Sequence, residues 1–66
     1  MRTILKVLRV ENHLTQDEMA KKVGVSRPTY AAVENGQLRG SEGFWKVVQG
    51  KFEIPDEKMW ELMRDE

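Results

Sequence analysis

The sequence contains no cysteine, which excludes disulfide staples, thiolate metal sites and thiol nucleophiles together. Histidine is almost missing as well. His13 stands alone, so carboxylates would have to supply nearly every ligand of a zinc site. No uninterrupted run of roughly eighteen apolar residues occurs, and that argues against a membrane-spanning helix. The opening residues 1–12 lack an unbroken apolar stretch and a small-residue cleavage site, so they do not read as a secretory leader. Strand-like alternation is absent, and no repeat, linker or low-complexity tract interrupts the chain. There is no phosphate-cradling glycine loop and no Cys/His pairing, and the acidic residues are scattered over exposed helix positions. These absences predict a cytoplasmic, non-enzymatic protein with no metal, no cofactor and no membrane association.

What is present is a chain of 66 residues, enough for one small domain spanning 1–66. A chain of this length buries only about 60% of the surface its unfolded form exposes, so good helix packing or a partner must compensate. Eleven basic and eleven acidic residues cancel overall. They are not evenly placed. Residues 1–40 carry seven basic against four acidic side chains, a net of +3, and residues 41–66 carry four against seven, a net of −3. Such asymmetry lets a neutral protein offer one face to a polyanion.

Turn and capping signals divide the chain into five short helices. The first covers roughly Arg2 to Asn12, with Ile4, Leu5 and Leu8, joined by Val7, as an inward stripe, and Asn12-His13 as its exit. The second opens on Thr15, and Glu18 completes a capping box; Leu14 and Met19 are placed as a hydrophobic staple, and Gly24 stops the helix. The third is capped by Ser26, or by Arg27 given that Pro28 follows it, and ends at Asn35-Gly36. A polar loop leads to Ser41, which caps a fourth helix to about Gln49, with Phe44, Val47 and Val48 facing inward and Gly50-Lys51 as its break. Ile54-Pro55-Asp56 opens the fifth, with Met59, Trp60, Leu62 and Met63 apolar, until an acidic tail frays at Asp65 and Glu66.

Helices two and three, joined by a tight glycine turn, have the features of a helix-turn-helix over about 15–36, in which the second helix enters the DNA major groove. Ala20 is small enough for the two backbones to approach, Gly24 permits a left-handed turn, and Tyr30 and Val33 put apolar mass on the inner face of the second helix. The combination is far more specific than any one of these residues.

The run LTQDEMAKKVGVSRPTYAAVENGQ, residues 14–37, resembles the phage-repressor-like (XRE) helix-turn-helix regulators. The shared elements are Leu14-Thr15-Gln16, Ala20, Gly24-Val25-Ser26 and Glu34-Asn35-Gly36. The tail, from Gly43-Phe44-Trp45 to Trp60, looks like small XRE regulators of Gram-positive bacteria. The resemblance implies an all-α, compact five-helix, lambda-repressor-like fold with its helix-turn-helix at helices 2 and 3. It also implies a prokaryotic, sequence-specific regulator of transcription, most simply a repressor.

The DNA-facing set expected from these features is Thr15, Gln16, Ser26, Arg27, Pro28, Thr29, Ala32, Asn35, Gln37 and Arg39. Thr15 and Gln16 open helix 2, where free backbone N–H groups and the Gln16 amide can hold a phosphate. Arg27 can take guanine O6 and N7 bidentately, and Thr29 offers a hydroxyl to phosphate and a methyl to thymine. Ser26 caps the helix beside them, and Pro28 contributes shape but no donor. Ala32 stands where the family often carries a long polar reader, so base reading by helix 3 is limited. In the family the loop holding Asn35, Gln37 and Arg39 clasps the phosphate strand. The resemblance also implies a structural ion pair between Arg9 and Glu34.

A single small module makes few contacts, so double-stranded DNA is expected to be bound by a homodimer. Trp45, Ile54, Trp60 and Met63 are its expected interface, since tryptophan is enriched among interface anchors. The alternative is a protein-interaction module, an antitoxin or adaptor, that binds a regulatory protein partner and for which DNA is secondary.

Overall fold

A computed structural model describes residues 1–64. Among them it contains five helices and no strand: α1 Thr3–Glu11, α2 Gln16–Val23, α3 Arg27–Glu34, α4 Glu42–Phe52 and α5 Asp56–Arg64. The fraying expected at Asp65 and Glu66 lies outside the described residues.

Local chemistry fixes most of the boundaries. Thr15 and Glu18 form a reciprocal capping box: the Glu18 backbone N–H donates to Thr15 Oγ1 at 3.1 Å, and the Thr15 N–H donates to Glu18 Oε1 at 2.9 Å. These bonds, led by that from the Thr15 backbone, hold the Glu18 carboxyl below its usual range. Gly24 then leaves α2 at φ 91°, a left-handed value that costs glycine almost nothing. The cap of α3 is Ser26, whose Oγ accepts from the Thr29 N–H at 3.3 Å. Pro28 therefore sits inside the first turn with Arg27 already helical, because Ser26 is extended and can take the cap.

At the other end of α3, the Gln37 N–H reaches back to the Ala32 carbonyl and the Gly36 N–H to the Val33 carbonyl. This is a Schellman closure, with Gly36 in the left-handed conformation at φ 85°. Ser41 caps α4 in the same way as Ser26 caps α3, accepting from the Phe44 N–H at 3.0 Å.

Three expectations are corrected. First, α4 does not break at Gly50-Lys51. It runs to Phe52 and leaves through Glu53, left-handed at φ 52°. A mid-helix glycine costs only about 1 kcal/mol, and continuing places Phe52 against the core, with Lys22 Nζ 5.9 Å over its ring. Gln49 then locks the exit, its side-chain amide donating to the Ile54 carbonyl at 2.9 Å and to Asp56 Oδ1 at 2.7 Å. Second, Val7 is not part of the inward stripe of α1. Leu5 is buried and Ile4 and Leu8 are half-buried, but Val7 and Val10 face outward.

Third, Trp45 and Ile54 are not surface anchors. Trp45 is 4% exposed, packs edge-on against Phe44, and donates its indole Nε1–H to the Arg39 carbonyl at 3.0 Å. Ile54 is buried as well. Both belong to the core, whose remaining members include Leu5, Met19, Tyr30, Val33, Val48 and Leu62. α2 packs on α3 and α4, α1 on α3 and α5, and α5 also on α4.

Candidate nucleic-acid interface

The small Ala20, fully buried in α2, lets α3 lie close across it, and Tyr30 and Val33 fill the space between them. With its inner side so occupied, the first turn of α3 is turned outward. Ser26, Arg27, Pro28 and Thr29 are all exposed there. Ser26 also donates its hydroxyl proton to Thr29 Oγ1 at 2.9 Å, so the two hydroxyls form one rigid polar step at the helix start. Ala31 and Ala32, one turn further on, are half-buried and present only methyl groups.

The loop after α3 lies beside that turn. Val25, Thr29, Leu38, Arg39 and Ser41 line one shallow groove between α3 and the start of α4. Asn35, Gln37 and Arg39 are exposed on the loop, and of the three Arg39 lines the groove. Thr15, at the start of α2, is exposed too, but Gln16 is half-buried and its side-chain amide reaches Glu34 Oε1 at 3.4 Å. Gln16 thus ties the first turn of α2 to the end of α3.

Glu34 is 2% exposed, and Arg9 holds it through two charge-assisted bonds, Nε to Oε2 at 3.0 Å and Nη2 to Oε1 at 3.3 Å. Arg9 Nη1 also donates to the Leu14 carbonyl at 2.8 Å. Burial by itself pushes the Glu34 carboxyl up, but the bond from Arg9, helped by Tyr30 and Gln16, outweighs it and holds the carboxyl below its usual range. The same bond raises Arg9 further above its ordinary value. Beside them, burial and then Glu34 push the Tyr30 phenol far up, so it stays neutral.

One residue that matters here was not legible beforehand. Arg2, which the sequence marks only as the start of the first helix and one basic residue among seven, is 1% exposed beneath the loop after α3. Nothing local distinguishes an arginine before an apolar stripe from a solvated one. Arg2 and Arg9 together show that the net +3 of residues 1–40 overstates the charge available outside. Both arginines are turned inward, and the exposed cations of this half are Lys6, Lys21, Lys22, Arg27 and Arg39. Lys21 is partly offset by Asp17 at 3.3 Å.

Comparison with known proteins agrees with this geometry. Residues 5–40 match the helix-turn-helix family model. Over 69 residues the chain is 33% identical to an uncharacterized HTH-type transcriptional regulator of Archaeoglobus fulgidus, covering 92% of this chain and 97% of the relative. The chain belongs to the helix-turn-helix regulator family. A second such regulator from the same organism is 34% identical over 68 residues, covering 91% of this chain and 97% of its own length. An uncharacterized HTH-type transcriptional regulator of Methanocaldococcus jannaschii is 49% identical over 37 residues, 56% of each chain. No solved structure gives a significant match. This regulator is a DNA-binding helix-turn-helix protein of XRE type, with the five-helix lambda-repressor-like fold. No helix among its described residues is long and apolar enough to cross a membrane, and these residues hold no metal-binding cluster of His, Cys, Asp or Glu.

The remaining interface candidates separate cleanly. Trp60, at 65%, and Met63, at 40%, are the exposed apolar side chains of α5, and they border an open cleft that Met59, Lys46 and Arg64 also line.

Proposed function

We propose that this regulator represses transcription by inserting α3 into the major groove of an operator as a homodimer. The single observation that carries the reading is the exposed first turn of α3, Arg27-Pro28-Thr29, set on a helix whose inner side is filled by Tyr30 and Val33. Arg27 reads guanine bidentately, Thr29 offers its methyl to thymine, and Ala32 adds at most a methyl contact. Docking is by phosphate contacts from Thr15 and Gln16, whose turn carries the free N–H groups of a helix start, and from Ser26, Asn35, Gln37 and Arg39. Phosphate contacts set orientation, and the few base contacts set a modest sequence preference.

Trp60 and Met63 are the dimer surface of this reading. Half-sites one helical turn apart require each recognition helix to lie about 17 Å from the two-fold axis. A molecule measuring 26 × 22 × 21 Å is large enough to span that distance when it meets its partner through one end. The same exposed tryptophan supports a second reading, an adaptor or antitoxin that uses α5 to hold another protein. Selection of bound duplexes from a random pool tests the first. Two-fold symmetric half-sites support it, and recovery of no enriched duplex contradicts it and leaves the second.

A further inference from the structure

We propose that Arg2 is a positioning residue for the phosphate-clasping loop: it never meets DNA, but it sets where Arg39 stands. This rests on the proposed role of that loop in holding the DNA backbone. The Arg2 guanidinium donates through Nη1 to the Val33 carbonyl and, at 2.7 Å, to the Leu38 carbonyl, and through Nη2 to the Arg39 carbonyl at 3.3 Å. It lies 5.5 Å from the centre of the Trp45 ring, and the Trp45 indole N–H donates to the same Arg39 carbonyl at 3.0 Å. Gly40 closes the arrangement. A Cβ there would lie 2.9 Å from Trp45 Nε1, and φ is +80°, so the loop backbone rests directly on the indole.

Two side chains from the start of α1 and the first turn of α4 thus draw the carbonyls at 38 and 39 inward. Burying a guanidinium costs several kcal/mol unless its donors are satisfied. A planar fork can serve three carbonyls at once, and an ammonium, a compact point charge, cannot reproduce that geometry. With its carbonyls held, the loop leaves Arg39 exposed between the groove it shares with Thr29 and the cleft bordered by Trp60 and Met63. A buried arginine whose bonds run to the clasping loop is doing more than filling the core.

The test is a double-mutant cycle on the full chain, binding a mixed-sequence DNA duplex at low salt. There affinity is set by phosphate contacts and the log–log salt slope counts them. Arg39→Ala is expected to weaken binding about tenfold and to lower the slope by about one. Arg2→Lys is expected to give a comparable loss of affinity and slope while keeping the charge. The double variant should then lose less than about threefold more, because the two act as one unit. Trp45→Phe, which removes one donor to the loop and leaves a smaller aromatic ring in its place, repeats the cycle if Arg2→Lys does not fold. Additive losses, or an Arg2→Lys protein whose slope is unchanged, overturn the proposal while the clasp reading stands. If Arg39→Ala alone leaves affinity unchanged, the clasp reading fails first and takes the proposal with it.

Discussion

Between Thr15 and Gly40, Met19, Val23, Tyr30 and Val33 are buried and the outside carries Arg27 and Arg39. α5 buries Met59 and Leu62 in the same way, but its outside differs: Lys58 and Glu61 pair there at 3.4 Å, and Trp60 and Met63 stand exposed with them. One region offers unspent cations suited to a polyanion, and the other offers apolar surface suited to a protein. A net charge of zero and an average hydropathy describe neither. What matters is which charges are consumed inside: Arg2, Arg9 and Glu34 are spent on the fold, and Arg27 and Arg39 are not.

The sharpest way to break the comparison is to disturb the internal charges without touching the external ones. Glu34→Ala leaves the largely enclosed Arg9 without its carboxylate and should destabilise the domain by about 3 kcal/mol. Thermal melting reads this directly; weaker DNA binding at an unchanged melting temperature would contradict the assignment. The same pair gives a pH signature. The folded protein holds Glu34 below its ordinary 4.5, so its contribution is complete above that value and is lost as pH falls through the lower folded one. Stability should stay level from neutrality to about pH 5 and fall below it, less steeply in Glu34→Gln.

On the outer side, Arg27→Ala should cost about 1–3 kcal/mol of binding at each half-site, with melting unchanged. Fluorescence anisotropy against a selected duplex measures it, and an equal loss on all sequences would reassign Arg27 to phosphate. Trp60→Ala probes the other region. It should weaken self-association by about 2 kcal/mol, visible by analytical ultracentrifugation, and leave the monomer fold intact. A parent protein that stays monomeric even on operator DNA would remove the dimer. The smallest effect belongs to Gly50, whose Cβ direction is open. Gly50→Ala should raise stability by about 0.5–1 kcal/mol, a gain of several degrees in Tm, with DNA affinity unaltered.

The helix starts were legible because capping is local: Thr15, Ser26 and Ser41 each announce themselves within four residues. The helix-turn-helix was legible for a related reason, since Ala20, Gly24, Tyr30 and Val33 sit at offsets that only close helix packing explains. The end of α4 was not, because Gly50 signals a break and only the packing of Phe52 overrides it. Trp45 was misplaced because Phe44, Val47 and Val48 already supply an inner face. What buries it is a loop that folds back over its indole and an arginine 43 residues earlier in the chain. Arg2 was missed for the same cause: among the groups it binds are the carbonyls at 33, 38 and 39, and carbonyls leave no trace in a sequence.

The most direct measurement is amide NMR of the isotope-labelled regulator titrated with a selected duplex. Perturbations should centre on Gln16, Arg27 to Thr29 and Asn35 to Arg39. Perturbations concentrated around Trp60 and Met63, with the first turn of α3 unmoved, would show that the duplex does not sit where this account places it.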